Sequence, residues 1–200
     1  MNSQLKVLVL TAHPDPGSLT VAVAHTVVST LSRDGHDVLF QNLAEMGFWP
    51  AFTAEDVAAY RELSAGRPFT LPEDVLEQQR ILATSDALVI VFPVYWWSLP
   101  AHIKGWLDRV FTRGWAYGSK DNVLGHLKVH LIALTGGDAG LYDRHEYQRI
   151  AETHISHGVF ERCGISQVKI TWLWEAARWP TAALAEAGAK KSFLKPEGVS

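Results

Sequence analysis

The run Leu88-Val89-Ile90-Val91 carries four apolar residues in a row with no polar residue between them. A half-solvated strand alternates apolar and polar residues, whereas a short unbroken run is the pattern of a parallel strand buried on both faces. Pro93 ends the strand, since proline has no N–H to give to a sheet ladder. A strand covered on both sides needs helices above and below it, which restricts the chain to a layered α/β fold.

The rest of the chain supplies those layers. Strands are predicted over residues 6–10, 38–40, 87–92, 128–134 and 168–172, each a short run rich in Val, Ile and Leu. Between them lie helical patterns. Ala24, Val27, Val28 and Leu31 follow helical spacing after Ser18, a residue suited to capping, and that helix stops at Asp34-Gly35. Further helices are expected at 54–63, 72–84, from Pro100 onward, at 146–162 and at 180–191. Residues 45–71 read as an excursion over the surface. Five alternations of strand and helix predict a five-stranded parallel sheet with helices on both faces, formed by one domain spanning 1–200.

The segment after the third strand is unusual in its aromatic content. Val94, Tyr95, Trp96, Trp97, Ser98 and Leu99 separate the strand from a helix whose apolar positions Ile103, Trp106, Leu107 and Val110 share one face. These residues sit at the carboxyl end of a strand, where open α/β sheets place their ligand crevices. Three adjacent aromatic residues cannot all point into one core. Space-filling packing is the plain alternative; a platform for a flat ligand is the functional one.

Two more loops follow strands that should be neighbours. Residues 11–20 offer His13, Ser18 and Thr20 beside the free N–H groups of a helix start, which favour a phosphate; ordinary capping by Ser18 is the simpler reading. Residues 135–142 offer Gly136 and Gly137, where missing side chains let backbone donors approach a ligand closely or allow a turn at positive φ. No Gly-x-Gly-x-x-Gly follows the first strand and no Gly-x-x-x-x-Gly-Lys-Ser/Thr occurs, so neither a Rossmann dinucleotide site nor a P-loop is supported. His154 and His157 lie three apart without a completing carboxylate and read as surface histidines, so no metal site is expected. Ser98 has no base partner and no Gly-x-Ser-x-Gly elbow, which argues against a hydrolase.

Composition narrows the partners. A formal net charge of −3, without a basic run interleaved with aromatics, gives no footprint for nucleic acid. Cys163 is the single cysteine, excluding an intrachain disulfide and reading as a buried thiol in a reducing compartment. The apolar run 7–10 is too short for a signal peptide, and no run approaches the roughly 20 residues of a membrane span, so a cytoplasmic location without membrane insertion is expected. Eight tryptophans in 200 residues exceed what the helical and strand stripes use, and such a surplus needs a partner surface or a ligand.

Taken in order, Ala12-His13 with Ser18, Phe92-Pro93 with Trp96, Pro100-Ala101, Lys104-Gly105-Trp106, Arg109-Val110-Phe111, Ala116-Tyr117, and Thr135-Gly136-Gly137 with Tyr142 cover most of the chain. This set resembles the flavin-dependent NAD(P)H quinone reductases of flavodoxin-like fold, a group that includes mammalian quinone reductases and the bacterial ancillary subunits of potassium-efflux systems. The resemblance implies that His13, Ser18, Leu19 and Thr20 hold a flavin phosphate. It further implies that the isoalloxazine lies on the turn formed by Pro93, Val94, Tyr95, Trp96 and Trp97, with Thr135, Gly136, Gly137 and Tyr142 at its pyrimidine side. Fixed backbone donors there would stabilise the negative charge that develops near N1 and O2.

By the same resemblance Tyr117 lines the substrate side of the ring, and His145 assists charge transfer, with Gln148 competing for that role. The implied cofactor is FAD or FMN, and the implied donor NADPH or NADH. Hydride passes to the flavin in a ping-pong cycle and then to a quinone or similar electrophilic aromatic. The implied assembly is a homodimer with the flavin near its interface, where Trp49, Trp115 and Trp179 are candidates to line the contact. A flavin-binding regulatory subunit of a transporter or other partner is the alternative from another class, and a one-electron carrier a third. Tyr95 stands where several relatives have glutamine, and Ser119 where the mammalian enzymes have a second tyrosine, which implies a differently shaped acceptor pocket.

Overall fold

The computed structural model describes residues 4–178. Five strands, β1 (Lys6–Thr11), β2 (Asp37–Asn42), β3 (Ala87–Pro93), β4 (Lys128–Leu134) and β5 (Gln167–Leu173), form one sheet in the order β2-β1-β3-β4-β5. Every pairing is parallel. The expected five-stranded parallel sheet is therefore present, with all five strands where the apolar runs place them. Strand order reverses between β1 and β3, which opens a crevice beyond their carboxyl ends.

Alternate residues of the central strands feed two cores. Leu8, Leu10, Leu88, Ile90 and Phe92 face one side, packed by α3 (Glu73–Ala83) and α4 (Ala101–Val110). Val7, Val9, Val89 and Val91 face the other, covered by α1 (Leu19–Arg33). This double covering explains why the β3 run shows no alternation. Trp106 is the largest fully buried side chain among the described residues, and its indole N–H donates to Gln78 Oε1 at 2.9 Å.

The excursion between β2 and α3 contains α2 (Ala54–Ser64), which starts with a capping box between Thr53 and Asp56. It is tied tightly to α4. A Cβ at Gly105 would lie 2.0 Å from the Pro50 carbonyl oxygen, so only glycine lets the two backbones approach this closely. Arg109, one turn further along, reaches back to the same segment: Nη1 donates to the Trp49 carbonyl and Nε to Asp56, both at 2.9 Å.

The helix expected at 146–162 is a different object. Asp138 caps a short helix, α5 (Ala139–Arg144), by accepting from Leu141 N–H at 2.7 Å, within a stretch that reads as loop. Glu146 then takes a left-handed conformation with φ 56°. That break precedes α6 (Tyr147–Ala151), which widens into a π-helical segment, Glu152–Phe160, and ends in a 3-10 turn, Glu161–Cys163. Hydrophobic spacing does not report a register change from i+4 to i+5 bonding, which is why the sequence pattern reads as one continuous helix. Cys163 is buried, as expected. The helix expected at 180–191 and Trp179 lie outside the described residues. Among the described residues no helix is long and apolar enough to cross a membrane.

His130 is a buried titratable group inside the sheet, 5% exposed, with Nε2 2.9 Å from Thr171 Oγ1. Burial, with Lys169 beside it, lowers its pKa from 6.5 to about 4. The folded state thus holds the ring neutral while the unfolded chain takes up a proton below pH 6.5. The stability this contributes is complete above pH 6.5 and is lost as pH falls towards 4, a loss of about 3 kcal/mol at 1.36 kcal/mol per pKa unit. Urea unfolding between pH 7 and pH 4 is expected to show this slope in the native protein and a shallower one in His130→Gln. Equal slopes would assign the acid sensitivity to other groups.

Candidate active site

The crevice beyond β1, β3 and β4 is built by three loops on neighbouring strands, about 5 Å apart. Thr11 ties the first two together by donating from Oγ1 to the Val91 carbonyl at 2.8 Å. Val94 N–H donates to the Leu134 carbonyl at 2.8 Å and ties the second to the third.

In the first loop, the His13 backbone is held on both sides by Asn42, which accepts from its N–H at 3.2 Å and donates to its carbonyl at 3.0 Å. The His13 ring turns into its own loop, where Nδ1 accepts from Asp15 N–H at 3.2 Å. Ser18 caps α1, its Oγ accepting from Val21 N–H at 3.3 Å, and its own N–H goes to the Asp15 carbonyl. The amides of Leu19 and Thr20 have no acceptor among the described residues. Two unpaired donors at the positive end of a 15-residue helix create a local field that favours negative charge.

The second loop is a two-residue hairpin turn. Tyr95 and Ser98 exchange both backbone hydrogen bonds, at 3.1 and 3.0 Å, and the residues between them, Trp96 and Trp97, have φ 48° and 57°. A turn with both central residues at positive φ ordinarily takes Asn-Gly, because a Cβ there is strained. Here two tryptophans occupy it, and Trp96 is 88% exposed. Neither local preference nor burial accounts for that choice.

In the third loop the carbonyls of Thr135 and Gly137 are occupied. Thr135 donates from Oγ1 to the Gly137 carbonyl at 2.7 Å, while Glu175 and Ala176 donate to the carbonyls of Gly137 and Thr135 at 3.0 and 2.8 Å. The N–H groups of Gly136 and Gly137 have no acceptor among the described residues. A Cβ at Gly137 would approach Leu141 Cδ2 at 2.8 Å, whereas one at Gly136 would meet open space. The second and third loops enclose a cleft of about 190 Å³ between Val94, Trp96, Trp97, Gly136, Gly137 and Tyr142.

Beside the cleft is an aromatic wall that the sequence pattern does not reveal. Tyr147 lies 4.6 Å from the Trp97 ring and 5.2 Å from His145, with which it stacks. Tyr142 is buried, with its phenol pKa raised by that burial, and it packs against Trp172 and Trp174 at 5.5 and 5.0 Å. Trp172 and Trp174 stand two apart at the end of β5, on one face, and stack at an interplanar angle of 6°. Their i, i+2 spacing was the available signal; for Tyr147 the left-handed break at Glu146 hid it.

The two residues expected to be catalytic lie apart. His145 is joined to the cleft through Tyr147, whereas the competing Gln148 is occupied by Glu152, to which its Nε2 donates at 3.0 Å. Tyr117 does not line the cleft. It lies in a separate and larger cavity of about 430 Å³, formed by α2, α4, the 112–117 turn and the π-helical segment. Burial and neighbouring Tyr60 raise its pKa. His154 and His157 are both exposed, and His157 Nδ1 sits 2.9 Å from Glu161. Among the described residues, no group of three or more His, Cys, Asp or Glu could hold a metal.

Residues 5–194 match the model of a family described as having a flavodoxin-like fold. The ribosyldihydronicotinamide dehydrogenase [quinone] of Mus musculus is 32% identical over 177 residues, covering 80% of this chain and 77% of its own length. Among solved structures, an NAD(P)H:quinone oxidoreductase from Methanothermobacter marburgensis superposes with a TM-score of 0.81 at 26% identity, over 94% of this chain and 96% of the other. An FMN-dependent NADH-azoreductase from Bacillus anthracis, solved in complex with FMN, shares the fold with a TM-score of 0.68 at 17% identity, over 93% and 95% of the two chains. With the sheet order, the three loops and these matches in agreement, the chain belongs to the flavodoxin-like family of NAD(P)H quinone reductases and is an oxidoreductase.

Proposed function

We propose that this protein binds a flavin in the three-loop crevice and uses it to pass reducing equivalents from NADH or NADPH to quinones or similar electrophilic aromatics. The observation that carries this reading is the strained Trp96-Trp97 turn set opposite the unpaired amides of Gly136 and Gly137. A flat heteroaromatic ring with acceptors along one edge suits that pair of surfaces, and the Leu19 and Thr20 amides suit its phosphate. Backbone strain of this kind is kept where the surroundings gain from it.

When bound, a flavin supplies two-electron chemistry, accepting hydride from a nicotinamide and releasing it to an acceptor. The protein's own residues position and polarise. Trp96 and Trp97 would support one ring face and the Gly136 and Gly137 N–H groups would stabilise charge at the pyrimidine edge, while the Tyr147 ring stacks on His145 and links it to Trp97. Tyr117, a phenol whose pKa burial raises further, can donate a proton to a reduced acceptor.

Tyr117 and the cleft belong to separate pockets of one chain, so we propose that they meet in a homodimer, where the cavity of one copy covers the cleft of the other. Tyr95, Trp96 and Trp49 are large, exposed and close to the surfaces such a contact would cover. The acceptor and donor would then use that covered space in turn, which is the structural requirement of a ping-pong cycle.

Identifying the small molecule extracted from purified protein by mass, followed by steady-state reduction of menadione with NADPH and NADH, tests the proposal. Tyr117→Phe and His145→Ala are each expected to lower kcat by about tenfold, the worth of one hydrogen bond in the transition state, with the flavin still bound. Loss of the flavin in either variant would show that the residue holds the cofactor instead. Flavin binding with no turnover would favour a regulatory subunit.

A further inference from the structure

The 430 Å³ cavity around Tyr117 has a chemistry that a wall for neutral quinones does not need. Its apolar lining includes Phe52, Tyr60, Phe111 and Tyr117, which suits a flat aromatic ring. Its ionisable lining is unbalanced. Four cations, Lys104, Arg109, Arg113 and Arg162, face two carboxylates, Asp56 and Asp108, although the whole protein carries a net charge of −3.

The pairing within that set isolates two of the four. Lys104 is bonded to Asp108 at 2.5 Å, and Arg109 is saturated by Asp56 and by Asp74 behind it. Arg113 and Arg162 have no carboxylate partner among the described residues. Both lie near enough to Tyr117 to favour the ionised form of its phenol.

Arg113 is also held in place. Its turn is closed by hydrogen bonds from Gly114 N–H to the Tyr117 carbonyl at 2.8 Å and from Ala116 N–H to the Thr112 carbonyl at 2.9 Å. Gln79 clamps the base of the turn, donating to the Val110 carbonyl and Thr112 Oγ1 at 2.9 and 3.0 Å. The Arg113 side chain folds over Gly118, where an added Cβ would stand 3.6 Å from its Cγ. Arg162 approaches from the far wall, next to Cys163, on the 3-10 turn that ends the π-helical segment.

We infer that Arg113 and Arg162 select acceptors that carry an acidic group, so that the preferred substrate is a flat electrophilic aromatic bearing a carboxylate or sulfonate. This rests on the proposed reading of Tyr117 as the acceptor side of the site. The aromatic lining takes the ring, and the two guanidinium groups take the anion, each through charge-assisted N–H···O bonds. The anion-binding part of the inference stands on the cavity alone and needs no cofactor.

Two measurements separate the inference from the reading beneath it. In the first, 2-naphthoate and its neutral isostere 2-naphthamide are titrated into the protein as purified, followed by tryptophan fluorescence. Naphthoate is expected to bind at least about tenfold more tightly, and Arg113→Gln or Arg162→Gln to erase most of that ratio, given the strength of a charge-assisted hydrogen bond. Arg33→Gln, at the end of α1, should leave it unchanged. In the second, turnover of 1,2-naphthoquinone-4-sulfonate is compared with that of 1,2-naphthoquinone in the same proteins. A kcat/KM preference for the sulfonate that both arginine variants abolish supports the inference. Equal binding of acid and amide, or a preference that survives both variants, overturns it while leaving the quinone reductase reading intact. Discrimination in binding without turnover of either quinone overturns the assignment of the site to an acceptor.

Discussion

Arg109→Met is expected to lower the unfolding free energy by about 3–5 kcal/mol, the cost of removing one partner from a buried ion pair. Arg109 is 3% exposed in its side chain and Asp56 5%, and the guanidinium spends its donors on Asp56, Asp74 and the Trp49 carbonyl while lying 5.1 Å over the Phe48 ring. Burial alone would raise the Asp56 carboxyl, but hydrogen bonds from Arg109 and from Thr53 outweigh it and hold the group below its usual value of 3.8. The variant leaves that carboxylate buried with only Thr53 for support. Methionine keeps the apolar stem and its packing, so the loss reports the charge rather than a cavity.

The sign with pH follows from the lowered carboxyl. A carboxylate whose folded pKa is depressed contributes stability that is present above its unfolded value and lost as pH falls through the folded one. The gap between native protein and Arg109→Met should therefore be full at pH 7 and close as pH falls through the carboxyl range, where Asp56 of the variant, without Arg109, takes up its proton before Asp56 of the native protein does. Asp56→Asn added to Arg109→Met should recover at least half of the loss, because it removes the stranded charge. Urea unfolding of the three proteins at two pH values decides the matter. A single-variant loss below about 1 kcal/mol, or a double variant no better than the single, would place this ion network among those that contribute little.

The same network shows what can and cannot be read from residue order. The strands were legible because burial on both faces leaves a one-dimensional trace, an unbroken apolar run, and the sheet follows once five such runs alternate with helices. Arg109 was legible only as part of a family pattern. Its partners Asp56 and Asp74 are 53 and 35 residues away in sequence, and nothing in local spacing pairs them. The three site loops were legible for a related reason: each begins where an apolar run stops. What lines them from other elements was not. Tyr147 meets the Trp97 ring after Glu146 breaks the helix, and Trp174 meets Tyr142 just beyond the end of β5; both depend on geometry that a hydrophobic pattern does not carry. The separation of Tyr117 from the cleft has the same origin, since closeness in a list of motif residues says nothing about which pocket each one lines.

Replacing Trp96-Trp97 by Asn-Gly should make the flavin-free protein more stable and the flavin-binding protein worse. The turn needs positive φ at both central positions, and a non-glycine residue held there costs about 1–3 kcal/mol, a cost that Asn-Gly largely removes. Against that gain stands the loss of the Trp97–Tyr147 contact at 4.6 Å, about 0.5–1.5 kcal/mol for an aromatic pair. Trp96 is almost fully exposed and gives up little packing. The net expectation is a rise of about 1 kcal/mol in the unfolding free energy of flavin-free protein, read by urea titration. Flavin affinity should move the other way, weakening by about 10- to 100-fold as two stacking surfaces disappear, read by quenching of flavin fluorescence. Opposite signs in one variant are the signature of a turn strained for its ligand. A variant that is less stable without flavin would show that the tryptophans serve packing, and one that binds flavin as tightly as the native protein would remove the turn from the site.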